Sequence, residues 1–134
     1  MSSPASGFGE KMSDRQHLYS VYRRIKKNCC REWRTDSRAF YSWYENQAKE
    51  QEGLCEYCNL PGNTETYYHR SFRKGRRGLN LEVDRKDNNQ QYSPENCVLA
   101  CYPCNNAKSD VFSYEEFLKI GETIRKVKQS RQHR

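Results

Sequence analysis

Four cysteines arranged as two identical pairs are the residues whose types and spacing most clearly predict chemistry. The first pair is Cys55 and Cys58, the second is Cys101 and Cys104, and 42 residues separate the pairs. A C-x-x-C turn brings two sulfurs close together, and two such turns supply the four thiolates of a tetrahedral zinc site. The spacing therefore predicts one structural zinc ion, which closes the intervening segment into a loop.

Two oxygen-bearing side chains stand where the predicted elements of that loop end or begin. Asp84 lies at the end of a predicted strand, and Asn105 follows Cys104 at the start of a predicted helix. If the strand packs on the helix, the two side chains face each other. Carboxylate and amide oxygens suit Mg²⁺ or Mn²⁺, and such an ion can stabilise charge on the leaving oxygen of a phosphodiester. The alternatives are a salt bridge for Asp84 and a helix cap for Asn105.

The elements that position these residues are short. Residues 79–83 alternate apolar and polar side chains, which is typical of a strand, and residues 98–100 form a second short apolar strand. A helix is predicted over residues 102–109, starting at the second cysteine pair. Cys97 lies outside both pairs and is predicted to be a buried thiol in the second strand. The predicted order is strand, loop, strand, helix, bracketed by zinc.

Three longer helices are predicted around this core. Asp14 is the expected N-cap of the first, and Ser37 and Gly53 are the expected start and end of the second. Ser113 and Glu116 form a capping box that starts the last. The inward faces predicted from periodicity are Leu18, Val21, Tyr22 and Ile25; then Phe40, Trp43, Tyr44 and Ala48; then Phe117, Ile120, Ile124 and Val127.

Length and composition limit the class of protein. The chain has 134 residues, 34% of them hydrophobic, which predicts one domain with a lean core. Zinc would contribute roughly 10 kcal/mol or more to folding such a core. Seven cysteines, no apolar run at the start and no stretch long enough to span a membrane predict an intracellular protein whose cysteines are ligands and free thiols.

The net charge of +7 favours a polyanionic partner such as nucleic acid, against the plainer reading of a generically soluble basic protein. A loop with no acidic residue carries five cations, predicted to follow a phosphate backbone: Arg70, Arg73, Lys74, Arg76 and Arg77. The basic end of the chain, residues 125–134, is expected to assist. The cations of the first helix are equally consistent with a phosphate-binding face and with a solvated one.

Taken together, these motifs resemble the zinc-bound HNH, or His-Me finger, endonucleases. The family pattern appears here as Cys55-x-x-Cys58, Asp84-Arg85, Asn96, and Cys101-x-x-Cys104-Asn105 with Lys108 behind. The resemblance implies an α+β protein with a ββα-metal core, and cleavage of DNA with one divalent ion. It implies that Asp84 and Asn105 hold that ion, that Asn96 braces the loop between the strands, and that Lys108 joins the DNA-binding residues.

Arg85 departs from the family pattern, which has a general-base histidine at this position. An arginine does not accept a proton at neutral pH, but it can bind a phosphate bidentately. A phage-like subgroup with Asp-Arg-x-Asp-Asn and a downstream tyrosine is similar to residues 84–88 and Tyr92. The attacking water then needs another activator, for which His69, Asp87 and a metal-bound hydroxide are candidates.

The sequence therefore predicts a disordered tail (1–13), a helical segment (14–53), a zinc-bound HNH-like domain with a C-terminal helix (54–128) and a basic tail (129–134). Its predicted function is that of an endonuclease dependent on Mg²⁺ or Mn²⁺. One alternative is a non-catalytic zinc-stabilised DNA-binding or adaptor module, and a second is a zinc-knuckle RNA-binding module. The predicted partner is double-stranded DNA, in the cytoplasm or nucleoid, and a second copy of the chain or a larger phage or host protein complex is a candidate further partner.

Overall fold

A computed structural model describes residues 8–62 and 80–131, with side chains from residue 16 onward. Its elements are α1 (Phe8–Ile25), a 3₁₀ helix (Lys26–Asn28), α2 (Arg31–Thr35), α3 (Ser37–Glu50), β1 (Glu82–Arg85), β2 (Cys97–Ala100), α4 (Tyr102–Lys108) and α5 (Tyr114–Arg131). This mixture of helices and a small sheet agrees with the predicted α+β class. Among the described residues, none of the helices combines the length and apolar character needed to cross a membrane.

The sheet contains two antiparallel strands, and its register fixes which residues face the helices. Val83 pairs with Leu99, and Asp84 pairs with Val98. All four residues of β2 are buried, whereas β1 is buried only at Val83 and Asp84. The first strand extends to Arg85, beyond its predicted end at residue 83, so Asp84 lies within a paired strand. Pairing holds the backbone of Asp84 in a fixed conformation.

The N-terminal helices enclose an aromatic cluster. Phe40 and Trp33 are fully buried, with ring centroids 5.1 Å apart. The Tyr22 hydroxyl donates a 2.6 Å hydrogen bond to the Trp33 carbonyl, which joins α1 to α2. This short helix was not predicted, because one turn with a single inward residue leaves no periodic pattern. The cluster covers β2 through α3, where the Gln51 side chain bonds both backbone groups of Leu99.

Two helix starts differ from the prediction. Helix α1 begins at Phe8 rather than at Asp14, so residues 8–13 of the predicted tail are helical. Extending an existing helix costs less than nucleating one, which favours its continuation through these residues. Asp36, not Ser37, caps α3, because its carboxylate accepts a hydrogen bond from the Arg38 backbone nitrogen. Gly53 follows α3 with a φ of +72°, as its predicted role at the end of the helix requires.

Helix α5 confirms its predicted start and corrects its predicted inward face. The Glu116 nitrogen donates to the Ser113 hydroxyl, and the Ser113 nitrogen donates to the Glu116 carboxylate, as in a capping box. Phe117 is fully buried, as predicted. Val127 was predicted to face inward but is 46% exposed, and Lys128 faces inward instead with 3% exposure. Hydrophobic periodicity missed this lysine because its partners are sulfur atoms rather than apolar side chains.

Candidate metal centre and polar site

The two C-x-x-C pairs meet in space. The sulfur atoms of Cys55, Cys58, Cys101 and Cys104 all lie within 4.8 Å of one another, and all four residues are buried. Four sulfurs at the usual Zn–S distance of about 2.3 Å from one ion stand about 3.8 Å apart. The distance between the sulfurs of Cys58 and Cys101 is 3.7 Å. The cluster is therefore positioned to bind one metal ion.

Hydrogen bonds from nitrogen support these sulfurs. The backbone nitrogens of Tyr57 and Cys58 lie 3.3 and 3.5 Å from the sulfur of Cys55. Bonds from the neighbouring thiols, above all that of Cys101, lower the pKa of Cys58, and the Lys128 charge acts in the same direction. Burial lowers the pKa of Lys128, but the charges of Cys101, Cys58 and Cys104 and the hydrogen bond to Cys101 together outweigh burial, and the net shift is upward. These donors favour the thiolate form of Cys58, which is the form that binds a metal.

Asp84 lies in a buried polar environment. Its Oδ2 accepts a 2.5 Å hydrogen bond from the Tyr57 hydroxyl and lies 3.4 Å from Nζ of Lys108. Burial raises the pKa of Asp84; the hydrogen bond from Tyr57 and the charge of Lys108 oppose this effect without cancelling it. Tyr57, placed between two cysteines of the metal cluster, therefore links that cluster directly to Asp84.

Asn105 and Lys108 occupy one face of α4, which packs against β1. Glu82 and Asp84 share one face of β1, because side chains two residues apart on a strand point the same way. The Asn105 amide donates a 2.9 Å hydrogen bond to Glu82. Lys108 donates to the Arg85 carbonyl at 3.0 Å in addition to its contact with Asp84. The structure thus places Asp84 and Asn105 at one strand–helix interface, each in contact with another protein side chain.

Lys108 does not lie on the surface where a DNA-binding residue was expected. Its side chain is fully buried, so its ammonium group faces Asp84 and the Arg85 carbonyl rather than solvent. A lysine is rarely buried unless its charge is paired, and the Asp84 carboxylate provides that pairing. Lys108 therefore contacts the polar site from the protein interior, in a position that a phosphate does not reach in this conformation.

Arg85 and Asn96 shape the loop between the strands. The Arg85 guanidinium lies 4.7 Å from the centroid of the Tyr92 ring and donates to the Gln90 carbonyl. The Asn96 amide donates to the carbonyls of Asp87 and Gln91, and its oxygen accepts from the Asp87 nitrogen. These bonds tie both ends of the loop together. Asp87 itself is exposed, and its carboxylate accepts from the Asn89 nitrogen as in an Asx turn.

An open groove of about 620 Å³ runs beside Arg85, lined by the loop after β1 and the start of α5. Lys86 lies on its wall, with its ammonium 5.2 Å from the centre of the Tyr114 ring. The five loop cations and His69 lie outside the described residues, between positions 62 and 80. The sequence prediction for that loop is therefore not tested by the structure.

Sequence reasoning missed three residues of this region. Glu82 could have been found, since it precedes Asp84 by two residues on the same strand face. Tyr57 and Lys128 left no such signal, because their partners lie 27 residues away or more along the chain. Cys97 is 2% exposed in β2, as predicted, and burial raises the pKa of its thiol to about 12.

The chain matches no protein-family model, and the comparison with curated proteins also gave no match. It is similar to a solved structure of the rare-cutting HNH restriction endonuclease PacI, with 40% sequence identity and a TM-score of 0.51. The match covers 58% of this chain and 55% of the PacI chain, so the similarity extends over just over half of that protein. The four-cysteine cluster and the mixed fold thus occur in a chain that is similar to an HNH nuclease.

Proposed function

We propose that this chain is a divalent-metal-dependent DNA endonuclease of the HNH type. The observation that carries the proposal is the similarity to PacI, at 40% identity over 58% of the chain. The nuclease activity of PacI is assigned to this chain only on the basis of that partial match. The local geometry supports the proposal, because β1 and α4 bring the Asp84 carboxylate and the Asn105 amide to one strand–helix interface.

The metal at the four-cysteine cluster is proposed to be zinc. Four buried sulfurs at tetrahedral spacing are the ligand set of structural zinc sites and leave no coordination position for a substrate. The zinc would therefore act on folding rather than on the reaction. By joining residues 55–58 to residues 101–104, it would hold β1 and α4 in fixed positions.

The reacting cation is proposed to be Mg²⁺ or Mn²⁺, held by Asp84 and Asn105. The Tyr57 hydroxyl and the Lys108 ammonium both contact Oδ2 of Asp84, and Oδ1 is the oxygen that we assign to the cation. Asn105 would offer its amide oxygen while its nitrogen stays bonded to Glu82. When bound, this ion supplies charge stabilisation at the phosphodiester, and Arg85 would bind a non-bridging phosphate oxygen beside it.

Arg85 does not accept a proton at neutral pH, so the attacking water needs another activator. His69, Asp87 and a metal-bound hydroxide remain the candidates. The Asn89 bond already engages one Asp87 oxygen, which makes this carboxylate a weaker candidate than its position suggests. Parallel cleavage assays on His69→Ala and Asp87→Asn would separate the three: loss of activity in either variant names the base, and retention in both leaves the metal-bound hydroxide.

DNA contact is proposed for Arg70, Arg73, Lys74, Arg76 and Arg77, with the basic C-terminal residues assisting. Phosphate contacts release counterions, so binding to duplex DNA should weaken steeply between about 50 and 200 mM salt. An affinity that does not change with salt would contradict this part of the proposal. Competition between duplex DNA and RNA oligomers tests the RNA-binding alternative.

Plasmid cleavage with Mg²⁺ or Mn²⁺ tests the nuclease directly. The native chain should cut, and Asp84→Asn should cut about 10²–10³-fold more slowly or not at all. Glu122→Gln is the matched control, since it removes one exposed carboxylate of α5 and should leave cutting unchanged. If the native protein binds DNA but does not cut it with any divalent ion, the chain would instead be the adaptor module.

A further inference from the structure

A buried lysine of α5 lies against the four-cysteine cluster. Its Nζ is 3.2 Å from the sulfur of Cys101 and 3.5 Å from the sulfur of Cys58, one cysteine from each pair. We propose that Lys128 is an outer-shell cation of the metal centre. It donates N–H···S hydrogen bonds to two metal-bound thiolates and thereby couples metal binding to the docking of the C-terminal half of α5.

The charge of the site explains why a lysine is buried there. Four thiolates around one Zn²⁺ carry two more negative than positive charges, and a buried net charge is costly unless it is compensated. The backbone nitrogens of Tyr57 and Cys58 donate to the sulfur of Cys55. Lys128 supplies donors to Cys58 and Cys101, and its positive charge halves the excess.

The packing of α5 delivers this ammonium group to the sulfurs. Phe117, Gly121 and Lys128 share one face of the helix, since they are spaced by four and seven residues. Phe117 packs edge-on against the Tyr57 ring, with centroids 5.2 Å apart. A β-carbon at Gly121 would collide with the Tyr57 carbonyl, so only glycine lets the helix approach this closely. The face is thus shaped to fit the first cysteine pair.

Ordinary hydrophobic packing does not account for Lys128. The adjacent Val127 is 46% exposed, whereas Lys128 is 3% exposed, so the helix buries the cation and leaves its apolar neighbour in solvent. A lysine is among the residues least often buried without a charged partner. The thiolates are charged partners for Lys128, and they explain why the lysine is buried while the neighbouring valine is exposed. This inference rests on the proposed zinc and is independent of the nuclease activity.

The test compares Lys128→Met with Lys126→Met, an exposed lysine on the same helix. Zinc affinity is measured by competition with a chromophoric chelator, and Co²⁺-loaded protein reports on the sulfurs through its charge-transfer absorption. Lys128→Met should bind zinc about 10–100-fold more weakly, and its Co²⁺ charge-transfer band should move to lower energy, because the thiolates lose a hydrogen-bond donor. Lys126→Met should match the native protein in both measurements.

Hydrogen exchange on the native chain keeps the test decisive if Lys128→Met does not fold. Removing zinc should accelerate exchange in residues 121–131 at least as much as in the cysteine pairs themselves. Unchanged zinc affinity and absorption in a folded Lys128→Met would overturn the proposal, and so would equal protection of residues 121–131 with and without zinc. A native protein that binds neither zinc nor Co²⁺ would instead remove the proposed metal.

Discussion

The two candidate metal sites of this molecule differ in how completely the protein has assembled them. The sulfur site has four ligand atoms within 4.8 Å of one another, at a spacing that fits a single ion. At the oxygen site, Asp84 contacts Tyr57 and Lys108, and Asn105 contacts Glu82. A preformed, buried ligand set suits a metal that stays in place. Ligands that retain protein partners suit a cation that exchanges with substrate and water.

Each site nevertheless has a buried lysine from the neighbouring helix. Lys108 is fully buried against Asp84, and Lys128 is 3% exposed against Cys58 and Cys101. In both cases the ammonium group compensates negative charge that burial would otherwise penalise. The two sites differ when no metal is bound. The sulfur site then lacks the cation that favours charged thiolates, whereas the oxygen site keeps the Asp84–Lys108 salt bridge.

Zinc removal should produce the largest loss of stability, and this loss should differ between the two ends of the molecule. Chelation should unfold the region from Cys55 to α5, because the metal supplies roughly 10 kcal/mol or more to such a domain. The aromatic cluster of α1–α3 should keep part of its helical signal. Circular dichroism with metal analysis measures this. Coincident, complete loss of all helical signal would mean that the aromatic cluster does not hold α1–α3 without the zinc-bound region.

The Asp84–Lys108 pair should produce the next largest effect. Asp84→Asn leaves a buried ammonium group without its carboxylate, which costs about 3–5 kcal/mol, while Asp84→Asn combined with Lys108→Met removes both charges. The double variant should therefore recover most of the lost stability and still fail to cut DNA. Urea unfolding and plasmid cleavage report the two effects separately. Recovery of cleavage in the double variant would exclude Asp84 as a ligand of the reacting cation.

Gly121→Ala probes the contact that joins α5 to the first cysteine pair. The new methyl group would overlap the Tyr57 carbonyl and move the helix outward, costing about 1–3 kcal/mol despite alanine's higher helix propensity. Thr123→Ala, on the exposed face, is the control and should be neutral or slightly stabilising. Thermal unfolding of the zinc-loaded proteins measures the difference. Equal melting temperatures would show that α5 tolerates displacement from the metal centre.

The sequence predicted the parts of these sites that depend on spacing and local pattern. Two C-x-x-C pairs, a strand that carries Asp84 and a helix that begins beside Asn105 are all visible in short windows, and the structure contains this strand, this helix and a cluster of the four cysteines. The buried lysines were not predictable in this way. Periodicity treats lysine as a polar residue, so Val127 was assigned inward in place of Lys128. The family resemblance placed Lys108 among the DNA-binding residues, whereas its partners in the structure are Asp84 and the Arg85 carbonyl.

Two helix starts were assigned to the wrong local residue, whereas two other features depend on contacts between residues far apart in sequence. Helix α1 extends to Phe8 beyond its expected cap, and Asp36 rather than Ser37 caps α3. Helix α2 owes its position to the burial of Trp33 and to the Tyr22 hydrogen bond, which join residues 11 positions apart. Tyr57 likewise reaches Asp84 across 27 residues. Tertiary contacts at such separations determine these features, and a single sequence does not reveal them.

Tyr57→Phe should produce the smallest effect and is the sharpest probe of the link between the two sites. It keeps the ring that packs on Phe117 but removes the hydroxyl bonded to Asp84, costing about 1 kcal/mol. That bond lowers the pKa of Asp84, so its loss should raise a pKa that burial already holds above the ordinary value.

The direction of the pH dependence follows from that shift. Because the folded pKa of Asp84 is raised, protonated Asp84 stabilises the cation-free protein at low pH, and this contribution is lost as pH rises through the folded pKa. Binding of Mn²⁺ should increase over the same interval, since it needs the carboxylate. The acid limb of Mn²⁺ binding should therefore move to higher pH in Tyr57→Phe, with the zinc content unchanged. Tyr102→Phe, on α4, is the control. An unchanged acid limb in Tyr57→Phe would mean that the hydroxyl does not tune the carboxylate, and the sulfur and oxygen sites would then be coupled through the backbone alone.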